Sequence, residues 1–286
     1  MTVTSRQVEK FRRVVLAAPV SYSVYSVFSF YGSRRGNELA GTWLVAALTS
    51  LGHEVAAIRQ TLYRMESSEV LRSRVVGRNK FYQLSPGARA EAEAGLAKIM
   101  EPAGGNWDGQ WTIVQLSAEG EARDGKELVR ELMRAEGFAR VGPNLFVHPR
   151  DRTARLLRAA RGHDVAEMLT IFRGARVAPT GDLAYATSSW NLDDIAAGYR
   201  QFVKRYTPLD DRARSLADAD AFIVRFALVF DYLETAWRDP DLPRELLPID
   251  WPGATARKMA QSLYRRFLPA ALAFGDQLSG PAAPAL

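Results

Sequence analysis

The chain has 286 residues, of which 47% are hydrophobic and 24% are charged, as in a globular protein large enough for two or three domains. It has no cysteine, which excludes disulfide bonds, thiolate metal sites and cysteine nucleophiles, and its 3 histidines lack the spacing of a zinc site. We therefore expect a cytoplasmic protein with no cofactor, no metal ion, no signal peptide and no membrane span.

Positive charge is concentrated in the first third of the chain. Residues 1–98 contain 14 Lys and Arg against 7 Asp and Glu, whereas the remaining residues contain 24 basic and 25 acidic side chains. A cationic module on a nearly neutral body is typical of a protein that binds a polyanion such as a nucleic acid.

Three helices are expected before a tight turn at Gly52, and they cover residues 2–18, 21–31 and 38–51. The second of them is rich in aromatic residues, which at helical spacing indicates a core position rather than a stacking surface. Arg34 and Arg35 lie in the polar connection before the third helix. Two arginines in a loop fit either contacts with phosphates or a solvated surface.

A fourth helix is predicted over residues 54–66, directly after the tight turn. Its buried face is indicated by residues that recur at steps of three and four, namely Val55, Ile58, Leu62 and Met65. Its remaining face carries Arg59, Gln60, Tyr63 and Arg64. Arginine is suited to guanine or to phosphate and glutamine to adenine, whereas Tyr63 is better placed to position the DNA backbone.

A hairpin is predicted next, from two alternating segments over residues 72–76 and 80–84 that flank Gly77-Arg78-Asn79. Four polar residues on or beside this turn are further candidates for DNA contacts: Arg74, Arg78, Asn79 and Lys80. Helix, tight turn, helix and basic hairpin are the outline of a winged helix-turn-helix. The alternative is a small helix-hairpin domain whose charges only face solvent.

The middle of the chain begins after a helix that Ser85 and Pro86 open and a Pro- and Gly-containing linker over residues 101–106. Alternating and helical patterns then predict the order strand, helix, strand, strand, helix, strand, which is ferredoxin-like. The strands are expected over residues 111–116, 138–141, 144–148 and 165–172, and the basic second helix over residues 152–161.

The last third of the chain is predicted to be helical, over residues 192–206, 218–237 and 255–274. The second of these helices is apolar on nearly all sides yet contains Arg225, which must pair internally or reach a cavity; an internal ion pair is expected. The predicted fold class is therefore α+β with three domains: a winged helix-turn-helix with its connecting helix over residues 1–101, a ferredoxin-like domain over 106–180, and an all-helical domain over 181–286.

Several motifs resemble the PaaX family of bacterial repressors. The segment DPDLPRELLPIDWPGATA, residues 239–256, is similar to that family's C-terminal signature. WTIVQLS at residues 111–117 and GFARVGPNLFVHPRD at residues 137–151 resemble its middle domain, and LTSLGHEVAAIRQTLYRM at residues 48–65 resembles its DNA-reading segment. The resemblance spans roughly residues 20–275.

The resemblance implies a homodimeric, non-enzymatic transcription factor whose middle domain is Cas2-like and whose helical C-terminal domain supports the dimer. Its partners would be a double-stranded DNA operator of an aromatic-acid catabolic operon and an aryl-acyl-CoA effector, such as phenylacetyl-CoA, that releases the DNA. An acyl-CoA needs an apolar slot and cations for its phosphates. The candidates are Trp190, Tyr199, Tyr206 and Arg225, with Arg150, Arg152 and Arg155 for the phosphates.

Two alternatives remain open, a Cas2-like metal-dependent nuclease and a DNA-binding protein that needs no ligand. Cas2 nucleases place a metal-binding aspartate at the end of the first strand of this domain. This chain has Ser117 there, with Glu119 and Glu121 further along. Because a two-metal nuclease needs convergent carboxylates, the sequence favours binding over catalysis.

Overall fold

The computed structural model of the chain describes residues 5–101, 106–117, 123–178, 180–210 and 216–278. The chain forms two compact units. Unit 1 comprises Met1–Glu101, Tyr199–Glu234 and Thr255–Leu286, and unit 2 comprises Pro102–Gly198 and Thr235–Ala254. The predicted division into three domains stays a prediction, and most of the predicted linker lies outside the described residues.

Helices dominate the described residues, with two small sheets between them. The helices are α1 (Ser5–Ala17), α2 (Val20–Val27), α3 (Gly41–Leu51), α4 (Val55–Ser67), α5 (Pro86–Met100), α6 (Arg123–Ala135), α7 (Thr153–Arg161), α8 (Asp182–Ser189), α9 (Leu192–Asp210), α10 (Asp218–Ala236) and α11 (Gly253–Gln277). The strands are β1 (Leu39–Ala40), β2 (Leu71–Val76), β3 (Asn79–Leu84), β4 (Trp111–Leu116), β5 (Ala139–Gly142), β6 (Leu145–His148) and β7 (Leu169–Gly174).

The sheet of unit 1 has the order β1-β3-β2, and both pairs of strands are antiparallel. The predicted hairpin is confirmed, with Val76 opposite Asn79 and Leu71 opposite Leu84. Gly77 adopts a φ of 61°, a backbone conformation that glycine tolerates and that a tight hairpin turn requires. The start of the third predicted helix was wrong, because β1 pairs with β3 and α3 begins only at Gly41.

The closing helix α11 packs on the N-terminal helices of unit 1. Tyr31 lies on a π-helical turn, Phe28–Gly32, that continues α2, and its hydroxyl donates to the carbonyl of Ala271 at 2.6 Å. The indole N–H of Trp43 donates to the carbonyl of Gly275 at 2.8 Å. A Cβ at Gly275 would lie 2.5 Å from the Tyr31 ring, so only glycine permits this approach. The first and the last described helices therefore both contribute to unit 1.

The sheet of unit 2 has the order β5-β6-β4-β7, and its paired strands are antiparallel. Helices α6 and α7 bury Val129, Met133 and Leu156 against it. The predicted sequence of strands and helices is confirmed. The last strand, however, begins at Leu169, because Ala166–Met168 forms a 3-10 turn. Helix α8 was not predicted.

His148 on β6 is fully buried and fastens a later loop of unit 2. Its Nε2 lies 3.2 Å from the carbonyl oxygen of Pro240, and its Nδ1 accepts the backbone N–H of Arg150 at 3.0 Å. Burial lowers the pKa of His148 from 6.5 to about 3, so the ring is neutral near pH 7. Because both ring nitrogens are engaged with the backbone of unit 2, the role of His148 is structural.

In the described ranges no single helix combines the length and apolarity needed to cross a bilayer, and only the bent pair of residues 7–17 and 20–35 meets both criteria jointly.

Candidate nucleic-acid interface

The turn between α3 and α4 is fixed by backbone geometry and by one buried histidine. Gly52 ends α3 in the left-handed region, with a φ of 106°, and its N–H donates to the carbonyl of Thr49 at 2.9 Å. The next residue, His53, is buried with its Nε2 2.8 Å from Ser23 Oγ. Arg12 of α1 also donates to the carbonyl of Ser50 at 2.7 Å. Contacts from α1 and α2 therefore hold the end of α3 and the turn from which α4 begins.

Helix α4 separates a buried face from an exposed one. The buried face carries Ile58, Thr61, Leu62 and Met65. The exposed face carries the four residues of this helix that were predicted to contact DNA, namely Arg59, Gln60, Tyr63 and Arg64. Tyr63 is 70% exposed, so its ring is accessible to an external partner. Val55 was predicted to be buried but is 38% exposed, because it is the first residue of the helix.

Two of the four hairpin residues are held by carboxylates. Arg74 Nε lies 2.7 Å from Glu38 Oε1, and Lys80 Nζ lies 2.7 Å from Glu66 Oε2. Hydrogen bonding by Arg74 lowers the pKa of Glu38, and hydrogen bonding by Lys80 lowers that of Glu66. These ion pairs brace β2 against the segment before β1, and β3 against α4.

The tip of the hairpin, by contrast, presents a free cation. Arg78 is exposed, Asn79 is partly exposed, and Arg78 has no ion-pair partner in the described part of the chain. Arg72 on β2 is exposed as well and was missed from the sequence, although its alternation with Arg74 could have indicated it. An exposed unpaired arginine can neutralise a phosphate without first breaking an internal contact.

Arg34 and Arg35 also differ in whether the fold already engages their charge. Arg34 is exposed. Arg35 is half-buried, with its guanidinium 4.8 Å from the centre of the Trp43 ring and 3.2 Å from Asp276 Oδ1. Arg35 therefore ties α11 to α3, whereas Arg34 remains available to an external anion.

The predicted effector residues divide between the two units. Tyr199, Tyr206 and Arg225 belong to unit 1, and each is at most 1% exposed. The ion pair expected for Arg225 is wrong: its guanidinium lies 4.2 Å from the Phe30 ring and 4.0 Å from the Tyr264 ring. Cation–π contacts replace the carboxylate, and Nε and Nη1 have no hydrogen-bond partner among the described residues.

The effector candidates of unit 2 are mostly engaged in the fold. The indole N–H of Trp190 donates to the carbonyl of Gly137 at 3.0 Å, and Arg150 Nε donates to the carbonyl of Asp241 at 2.7 Å. Arg155 pairs with Glu136 at 2.6 Å. Arg152 differs, because its Nε is buried without a partner within the described ranges.

The geometry at the end of β4 bears on the nuclease alternative. Ser117 is exposed there, and Glu119 and Glu121 lie outside the described residues. No group of three or more His, Asp or Glu in the described residues is arranged to hold a metal ion.

Comparison with known proteins gives matches along most of the chain. Three family models match: PaaX-like protein over residues 21–88, PaaX protein central Cas2-like domain over 104–186, and PaaX-like protein C-terminal domain over 190–277. The transcriptional repressor PaaX of Escherichia coli (strain K12) is 31% identical over 276 residues, which is 92% of this chain and 85% of the relative.

A solved structure resembles the fold as well. An uncharacterized protein from Mycobacterium tuberculosis superposes with a TM-score of 0.56 at 21% identity, over 85% of this chain and 96% of that one. At that identity the likeness concerns the fold alone.

Proposed function

The chain belongs to the PaaX family of transcriptional repressors, and we propose that it represses an aromatic-acid catabolic operon in the cytoplasm by binding operator DNA as a homodimer. The DNA-binding part is a winged helix-turn-helix, which α3, the Gly52 turn, α4 and the β2–β3 hairpin support. The middle domain is ferredoxin-like, since the strands met in order across its sheet, β7, β4, β6 and β5, are the fourth, first, third and second of the domain along the chain.

The observation that carries this proposal is the composition of the exposed face of α4. Arg59 and Gln60 read base edges in the major groove, and Tyr63 and Arg64 hold the backbone. Arg34, Arg78 and Asn79 contact phosphates or the minor groove beside it, as does Arg72. At Arg74 and Lys80 a phosphate competes with Glu38 and Glu66, so their main contribution is the position of the hairpin.

Dimerisation explains how a short reading helix selects one site. Two copies of α4 related by a two-fold axis read half-sites about one helical turn, roughly 34–36 Å, apart. An aryl-acyl-CoA such as phenylacetyl-CoA releases the repressor if it binds better to a dimer geometry that no longer matches both half-sites. The residues predicted from the sequence for that ligand were Trp190, Tyr199, Tyr206 and Arg225, with Arg150, Arg152 and Arg155 for its phosphates, but most of them are buried or engaged in the fold.

The test of DNA reading is a fluorescence-anisotropy titration of the duplex upstream of the chain's own gene. Arg59→Ala and Gln60→Ala are each expected to weaken binding by about 5- to 150-fold, since a good base contact contributes roughly 1–3 kcal/mol. Arg134→Ala, which removes the same charge as Arg59→Ala at an exposed position of α6, is the matched control. Equal affinities of all these variants and the wild type would contradict the reading role of α4.

The test of release adds aryl-acyl-CoA thioesters to the preformed complex. We expect phenylacetyl-CoA or a related thioester to dissociate it, and free phenylacetate to leave it intact. Incubation of the labelled duplex with Mg²⁺ or Mn²⁺ separates this function from that of a nuclease. Intact DNA supports the repressor, and metal-dependent cleavage would contradict it.

A further inference from the structure

A cleft of about 840 Å³ lies within unit 1, between α1, the last turns of α9 and the last turns of α10. This volume is that of a typical small-molecule site, roughly 300–1,000 Å³. None of its lining residues was among the effector candidates read from the sequence. The cleft is open to solvent, whereas the effector candidates Tyr199 and Arg225 are buried among their neighbours.

The floor of the cleft is apolar. Phe11 of α1 is 5% exposed and Leu209 of α9 is 2% exposed, and Val14 is half-buried beside them. The Phe11 ring lies 5.2 Å from that of Tyr206, which continues the apolar surface below the floor. Such a floor favours an apolar group on the ligand.

The rim of the cleft is cationic. Lys10, Arg13 and Lys204 are exposed around it. Two acidic residues also line it, but Asp231 is already paired with Arg205, so Glu234 is the one exposed carboxylate among the described lining residues. The excess of positive charge favours a ligand with several negative charges.

Asp231 lines the cleft with a largely buried carboxylate, while Tyr206 lies below the floor. Asp231 forms an ion pair with Arg205, and the side chains of Asp231 and Tyr206 also interact with each other. Burial raises the pKa of Asp231 and that of Tyr206. The carboxylate of Asp231 is thus engaged within the protein, which leaves the exposed cations of the rim to a ligand.

We propose that this cleft is the effector site and that it takes an organic phosphate with an apolar group. The phosphates lie against Lys10, Arg13 and Lys204, and the apolar group lies against Phe11, Val14 and Leu209. The inference rests on the proposed function, because an acyl-CoA thioester has this combination of groups.

The position of the cleft also connects it with the DNA-reading helix. Residues on one side of α1 line the cleft, while Arg12 on the same helix donates to the carbonyl of Ser50 just before the Gly52 turn. A Cβ at Gly52 would lie 3.2 Å from the Arg12 side chain, so the contact is close. A ligand whose binding displaces α1 therefore also displaces the turn from which α4 begins.

Isothermal titration calorimetry with the full chain tests this site, with phenylacetyl-CoA, coenzyme A and phenylacetate as separate probes. The thioester should bind most tightly, coenzyme A more weakly, and phenylacetate weakest. The double variant Lys10→Glu, Lys204→Glu should bind the thioester about tenfold or more weakly, because two cations beside the phosphates become anions. Arg134→Glu, Arg244→Glu is the control, since it makes the same change of charge at exposed positions of unit 2.

Unchanged thioester affinity in the Lys10, Lys204 variant would overturn the assignment of the cleft, and so would a wild-type chain that binds none of the probes. If the thioester still releases DNA from that variant as from the wild type, the cleft is wrong and the repressor function stands. If the wild type binds the thioester through Lys10 and Lys204 but binds no operator, the cleft stands and the proposed function fails. Thermal unfolding checks the variant, and Lys204→Gln replaces it if it does not fold.

Discussion

A comparison of Arg78→Ala with Arg74→Ala distinguishes a cation that binds DNA from one that supports the fold. Arg78 is exposed at the hairpin tip, whereas Arg74 is bound by both carboxylate oxygens of Glu38, at 2.7 and 3.0 Å from its Nε. A cation that neutralises one phosphate contributes about 0.9 to the slope of log K against log salt. In a dimer Arg78→Ala should therefore reduce the slope by about 1.8, and the affinity should fall on operator and unrelated duplexes alike.

The assay is operator binding at a series of salt concentrations, together with thermal unfolding. Arg74→Ala should change the slope less than Arg78→Ala and should lower the unfolding midpoint, because it leaves Glu38 without its partner. Arg78→Ala should leave the midpoint unchanged. A slope that is unaffected by Arg78→Ala, or affected more by Arg74→Ala, would refute the distinction between free and bracing cations.

Three further variants test the interior. Arg225→Met should raise the free energy of unfolding by about 1 kcal/mol, because burying guanidinium N–H groups without partners costs more than the cation–π contacts return; destabilisation in a urea titration would contradict this. Gly275→Ala should lower stability by about 1–3 kcal/mol, since the new Cβ meets Tyr31 at 2.5 Å, and an unchanged melting curve would disprove that packing. For His148, whose pKa falls from 6.5 to about 3 on folding, the unfolded chain binds the proton more readily. Stability should therefore fall by up to about 1.4 kcal/mol per pH unit as the pH drops below about 6.5. His148→Gln lacks this group, so the stability of the wild type relative to that variant should fall with acid, and a difference that does not change with pH would contradict the prediction.

Local periodicity was enough to predict the element that carries the candidate interface. Ile58, Leu62 and Met65 are buried and Arg59 is exposed because a helix of 3.6 residues per turn separates the two sets, whatever lies around it. The hairpin follows from alternation and from a glycine that permits positive φ. These features are set by neighbours in sequence, and so they can be read from it.

Features that depend on distant residues could not be read in the same way. The two-residue strand β1 exists because Leu39 and Ala40 meet β3, more than forty residues later in the chain. The role of Arg74 is decided by Glu38, and the surroundings of Arg225 by aromatic rings on α11 and on the turn after α2. Composition indicates that a buried arginine needs a partner, but it does not indicate which kind of partner the fold supplies.

The most direct measurement of the central claim uses the absence of cysteine from the chain. Ala56→Cys, at an exposed position of α4, carries an iron chelate that cleaves nearby DNA, and Ile249→Cys, fully exposed in unit 2, carries the same chelate as a control. A reading helix in each half-site predicts two symmetric groups of cuts about one helical turn, roughly 10 base pairs, apart. No cleavage from position 56, or the same pattern from both positions, would contradict the claim that α4 reads the operator.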